Sequence, residues 1–118
     1  MKRPFIAVYL LTNRFHGMLY TGVTSNLFQR MDQHREGRFP GFTKVHGLKR
    51  LVWFQTFDLI TEAIPHEKRI KRYRREFKYN LIERDNPHWD DLFEEMMRDP
   101  VWKLDYVKEE DRFPNPLP

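Results

Sequence analysis

Residues 18–34 read MLYTGVTSNLFQRMDQH. Leu19, Tyr20 and Val23 suit a strand, and Ser25 or Asn26 then offers the side-chain oxygen that opens a helix, which Gly37 is placed to end. Upstream, FIAVYLL at 5–11 is an apolar run too short for a helix, and Asn13 to Gly17 supply turn chemistry. The opening of the chain therefore predicts a β-hairpin that runs directly into a helix.

Beyond that helix, a loop or short helical turn fills Arg38 to Lys49, and LVWFQTF at 51–57 predicts a third strand. Thr61 is the expected cap of the next helix, with Pro65 in its first turn, where backbone donors lack intrahelical partners anyway. Residues 77–84 continue helically, with or without a bend. Asn86 and Pro87 are expected to open a last helix, on which Trp89, Leu92, Phe93 and Met96 recur at helical spacing as core. The order β-β-α-β-α-α-α predicts a mixed α/β (α+β) fold, a small, mainly antiparallel three-stranded sheet flanked by helices. One domain is expected over 1–99, with a Pro-rich tail over 100–118.

The chain has 118 residues, 40% hydrophobic and 15% aromatic, which is enough for a core. It has no cysteine, which excludes disulfides, thiolate zinc sites and thiol nucleophiles. The opening MKRPFIAVYLLT pairs basic residues with an apolar run. That run contains Tyr9 and meets Asn13 and Arg14 without a small-residue cleavage site, so it reads as a buried strand rather than a signal peptide. No stretch approaches a membrane-spanning length, and a cytoplasmic location is expected. The net charge is +4, a modest margin, but KRIKRYRR at 68–75 concentrates six basic residues.

Three placements stand out. On a wheel of about 100° per residue, Leu27 and Met31 centre the apolar stripe of the first helix, and Arg30 and His34 fall on its edge. There an arginine can bury its stem and aim its fork into a cleft, or simply reach a surface carboxylate. Ala63, Ile70 and Phe77 are expected to line one face of the basic helix, with Glu67 near the middle of it. A carboxylate there needs a metal, donors or a cation, and Lys71 one turn on is the ordinary partner. Tyr9 puts a polar tip into an aliphatic strand, which ordinarily means a ring in the core and a hydrogen-bonded hydroxyl.

Taken in order, AVYLLTN, the hairpin, LYTGVT, NLFQRMDQH and AIPHEKRIKRY resemble the GIY-YIG endonuclease superfamily, and more narrowly its small single-domain bacterial members. The first triplet falls on Ala7-Val8-Tyr9 and the second on Tyr20-Thr21-Gly22. Arg30, His34 and Glu67 match the arginine, histidine and glutamate, and NPHWDDLFEEM at 86–96 resembles the tail of that subgroup. Ala7 stands where the first glycine is usual, and Thr21 where isoleucine or valine is usual.

The resemblance implies an endonuclease that hydrolyses phosphodiester bonds of nucleic acid, DNA before RNA, with Mg²⁺ (or Mn²⁺) held mainly by Glu67. Arg30 would clamp a phosphate oxygen. Tyr9 would act as general base, with Tyr20 positioning water or phosphate, and the metal ion, Arg30 or His34 would lower the Tyr9 pKa or relay its proton. An unperturbed phenol of pKa about 10 is ionised in only about one molecule in a thousand at pH 7, so Tyr9 would need such help. Gly22 would be the structural glycine of the site. Lys68, Lys71, Arg72, Arg74 and Arg75 would follow the phosphate backbone, and the protein would act as a monomer or weak homo-oligomer. The rival readings are a catalytically weak nucleic-acid-binding module of the same fold, and a protein-interaction adaptor.

Overall fold

A computed structural model describes residues 6–38 and 41–98. The expected tail over 100–118, and with it the domain boundary, lies outside the described residues. Strands β1 (Ala7–Thr12), β2 (Leu19–Thr24) and β3 (Arg50–Thr56) form one antiparallel sheet in the order β2-β1-β3. The expected hairpin is present, and β1 is the central strand. Its six residues are all buried, because helices cover both faces. This explains why the run is uniformly apolar rather than alternating.

Odd positions of β1 face one core, with Ala7, Tyr9 and Leu11 packed against Leu27, Phe28 and Met31 of α1 (Leu27–Arg35) and Phe93 and Met96 of α5 (Leu92–Arg98). Even positions face the other, where Val8 and Leu10 meet Ala63 and Ile70 of α3 (Ile60–Lys71) and Ile82 of α4 (Arg75–Asp85). A short α2 (Phe42–His46) occupies the segment between α1 and β3. Asn26 is the cap of α1, its side chain accepting from the Gln29 amide at 3.2 Å. Among the described residues no helix is long and apolar enough to cross a membrane.

The structure corrects three local expectations. Helix α3 begins at Ile60 behind an extended Leu59, so Thr61 is not its cap and Pro65 is the sixth helical residue. The proline withholds an amide from the Thr61 carbonyl, and both residues are exposed, so water can serve that carbonyl. The basic run is divided between two helices, so the shared face expected for Ala63, Ile70 and Phe77 does not form. Hydrogen bonds Arg72 N to Arg69 O and Tyr73 N to Ile70 O tighten the end of α3, and α4 restarts after an extended Arg74. Ile70 and Ile82 enter the same core, whereas a straight helix would separate them by about 18 Å. Phe77 is accordingly not on a core face with Ala63 and Ile70, and is exposed instead.

Asn86 closes α4 rather than opening α5. Its side chain is buried, donating to the carbonyls of Val52 and Asp90 and accepting from the Asp90 amide. That trio ties the loop to β3, which satisfies more polar atoms than a cap would. The capping contact before α5 comes from Asp91, whose Oδ1 accepts from the Phe93 amide at 3.1 Å and from the Leu51 amide at 3.3 Å. Trp89 is core, as expected, but precedes the helix, with a positive φ of 59° and its indole N–H on Glu83.

Candidate active site

Tyr9 is paired with Gly22 across β1 and β2, and Leu11 with Tyr20. The side-chain period of two puts Tyr9 and Tyr20 on the same face, the one that α1 covers. Their ring centroids are 6.2 Å apart. Gly22 is needed for space rather than for an unusual φ: a Cβ there would lie 2.5 Å from both Cζ and Oη of Tyr9 and 2.9 Å from Cε2 of Tyr20. The phenol therefore lies directly over the glycine backbone.

Arg30 and His34 project from one side of α1, four residues apart. Oη of Tyr9 is 3.1 Å from His34 Nε2, and Nδ1 of the same ring is 3.1 Å from Thr43 Oγ1. The His34 ring also stands edge-on to both tyrosines, at 5.9 and 5.8 Å. Tyr9 (0% exposed) and His34 (2%) form the buried end of the site, and the half-buried Tyr20 and Arg30 its open end. Thr43, which orients the imidazole, carried no signal in the sequence beyond its place in a short turn of helix.

Burial raises the Tyr9 pKa above its ordinary value. The Arg30 guanidinium, by charge and by a hydrogen bond to the phenol, pulls the other way, and Tyr20 and Glu67 add to the rise. Burial, followed by the charge of Arg30, lowers His34 to about 4, so the imidazole is neutral at pH 7. A neutral imidazole carries one N–H and one lone pair. With Nδ1–H donated to Thr43, Nε2 accepts from the Tyr9 hydroxyl.

Glu67 is 7% exposed and comes from α3, on the other layer, yet its charge is felt by Tyr9. Lys71 Nζ stands 3.5 Å from its Oε2, the ordinary partner read from the sequence. Among the described residues no three His, Cys, Asp or Glu side chains gather as a ligand cluster. One carboxylate oxygen that meets an exposed ammonium at the surface suits Mg²⁺, which keeps several waters and takes one or two carboxylates; it does not suit a structural zinc site. Lys68, Lys71, Arg72, Arg74 and Arg75 are all exposed, but the break at 72–74 distributes them over the end of α3 and the start of α4.

The family model described as the GIY-YIG catalytic domain matches residues 5–80. A UPF0213 protein of Staphylococcus saprophyticus is 35% identical over 66 residues, which cover 56% of this chain and 80% of its own. A UPF0213 protein of Staphylococcus aureus matches with the same identity and coverage. The solution NMR structure of a UPF0213 protein from Bacillus halodurans covers 74% of this chain and 92% of its own, at 28% identity and a TM-score of 0.47. The GIY-YIG catalytic domain is the mark of a nuclease family whose nucleases in general depend on a divalent metal, and it implies nucleic-acid binding; the names of the UPF0213 relatives state no activity. The chain, matched over most of its described length and carrying the two tyrosines, the arginine and the glutamate around one place, belongs to the GIY-YIG family.

Proposed function

We propose that this protein is a metal-dependent endonuclease that hydrolyses phosphodiester bonds of DNA. The observation that carries the reading is the Tyr9–His34 hydrogen bond beside Arg30, Tyr20 and Glu67. Five side chains of four chemical kinds, from β1, β2, α1 and α3, share one electrostatic neighbourhood, with one end buried and one end open.

The guanidinium of Arg30 takes a nonbridging phosphate oxygen, and its charge-assisted hydrogen bonds strengthen as negative charge builds in the transition state. Tyr20 at the open end positions the attacking water. The Tyr9 hydroxyl accepts a proton from that water while passing its own to Nε2 of His34. A standing phenolate is unfavourable in so buried a place, and a relay never requires one. Thr43 holds the imidazole in the accepting tautomer. Glu67 would hold Mg²⁺ (or Mn²⁺), and the ion when bound supplies Lewis-acid stabilisation of the leaving oxygen. Lys68, Lys71, Arg72, Arg74 and Arg75 contribute sequence-independent attraction to the backbone, so binding weakens as salt is raised. A cytoplasmic location and a monomer or weak homo-oligomer complete the reading.

The test is cleavage of labelled single-stranded, duplex, branched and RNA substrates with Mg²⁺ or Mn²⁺, beside EDTA, Glu67→Ala and Arg30→Ala. Cleavage lost in EDTA and in both variants supports the reading. Binding without cleavage of any substrate would replace it with the binding module, and neither binding nor cleavage with the adaptor.

A further inference from the structure

The inner side of α4 is fully occupied. Tyr79 donates its hydroxyl to the carbonyls of His16 and Gly17, Ile82 enters the core, and Glu83 takes the indole N–H of Trp89. The outer side is open, apart from Leu81 at its edge, which is partly buried against the core. Tyr73, Phe77, Asn80, Leu81 and Arg84 fall at i, i+4, i+7, i+8 and i+11, one stripe of the helix and the turn before it, and line an open depression of about 380 Å³. Phe77 is 53% exposed and Tyr73 38%. Their rings meet edge to face at 6.5 Å and 76°.

A single exposed phenylalanine needs no explanation. A pair of exposed rings set beside an amide and a guanidinium, in a segment where exposed Arg72, Arg74 and Arg75 lie next to them in sequence, is a different object. Among the described residues Arg72 and Arg75 have no ion-pair partner, and Arg74 reaches only Glu76, at 3.9 Å between two exposed side chains, a contact worth little. The rings offer π-faces, Asn80 and Arg84 offer hydrogen-bonding groups at their rim, and the arginines offer charge for phosphates.

From this we infer that the outer face of α4 is a stacking platform for unpaired bases of single-stranded nucleic acid. The inference rests on the proposed nuclease reading for its biological sense. Tyr73 lies six residues past Glu67 along α3 and its closing turn, a rise of about 9 Å. A strand on the platform is thus led toward the cleavage site. An apolar protein partner is disfavoured by the cations it would bury, and a duplex keeps its base faces in its own stack. The platform therefore selects substrates with a single-stranded arm.

The experiment is fluorescence anisotropy in EDTA at one fixed salt concentration, using the full chain. The probes are a labelled single-stranded oligonucleotide, the same sequence as duplex, and the single strand with abasic spacers. Stacking on one aromatic residue corresponds to roughly 5- to 150-fold in affinity. Phe77→Ala is expected to weaken single-strand binding by about tenfold or more, leave duplex and abasic binding within about twofold, and leave the salt slope unchanged. Phe77→Trp should restore the affinity. Replacing Arg72 and Arg75 with glutamine should weaken all three probes together and flatten the salt slope.

Equal affinities for wild type and Phe77→Ala, or an equal loss on all three probes, would overturn the platform. So would a dimer in sedimentation velocity that dissolves in Phe77→Ala while single-strand binding is unchanged, which would make this face a contact between copies. An acidic peptide competing from the face in the absence of any single-strand preference would have the same effect. The two readings fail separately. Metal-dependent cleavage with no Phe77 effect sinks the platform alone, and a Phe77 effect on binding with no cleavage of any substrate sinks the nuclease alone.

Discussion

Replacing Gly22 with alanine puts one methyl group where the Tyr9 ring now lies. The added Cβ would stand 2.5 Å from Cζ and Oη of Tyr9, and ordinary contact begins near 3.4 Å, so the phenol must retreat by about 0.9 Å. Tyr20 cannot make room, because its own Cε2 is 2.9 Å from the same point. The 3.1 Å bond to His34 Nε2 then lengthens beyond hydrogen-bonding range or changes direction. A displacement of about 1 Å in a reacting group costs about 100-fold in rate, and overpacking a core costs about 1–3 kcal/mol in stability. We therefore expect Gly22→Ala to stay folded, to lose about 1–3 kcal/mol in urea unfolding, and to cleave about 100-fold more slowly at saturating substrate and metal. The imidazole provides a readout independent of turnover, since the His34 ring nitrogens should report loss of the phenol in nitrogen NMR. A folded variant that cleaves within twofold of wild type would refute the claim that the glycine exists to seat the phenol.

The His34 pKa, lowered from 6.5 to about 4 by burial, makes stability depend on pH with a definite sign. The unfolded chain takes up the proton first as pH falls, so the contribution is complete above about 6.5 and is lost between there and about 4. Its ceiling is about 3 kcal/mol. Urea titrations at pH 7 and pH 4 should show wild type losing up to that much more than His34→Gln, and parallel losses would rule the burial effect out. Arg30→Lys keeps the charge but not the fork, so cleavage should fall at least tenfold with little change in unfolding midpoint; unchanged cleavage would deny the bidentate role. Thr21 is buried with no partner for its hydroxyl among the described residues. Thr21→Val should therefore stabilise the fold by about 1 kcal/mol in the same titration, and a loss would reveal a hidden partner. Asn86→Ala removes three hydrogen bonds, one buried and two partly buried, and should cost about 2–4 kcal/mol, measured by thermal unfolding.

The hairpin and α1 were legible because local rules agreed there: strand formers, turn residues in Asn13–Gly17, and a cap at Asn26 whose bond is present. The expected positions of Arg30 and His34 at the edge of one apolar stripe, and of Glu67 near the middle of another, translate into partly or fully buried groups around Tyr9. What escaped is decided by distant partners. A bend before residue 77 was allowed for, but its place at 72–74 was not legible, because the break follows from Ile70 and Ile82 sharing one core. Asn86 followed by proline has every mark of a helix start, but β3 offers Val52 O, and the side chain goes there instead. Thr43 was invisible for the same reason, since its role exists only once α1 lies across the short helix.

Tyr9 is also a core residue of the central strand, in van der Waals company on every side. The family signature around it is therefore in part a requirement for folding. A copy of this domain that had abandoned catalysis would still pay in stability for losing the ring of Tyr9 or the bare backbone of Gly22, and would be expected to keep both. Arg30 and Glu67 belong to neither apolar core and are under no such obligation. Presence of Tyr9 and Gly22 thus speaks first for the architecture, and on the proposed reading it is Arg30 and Glu67 that would distinguish a working member from a retired one.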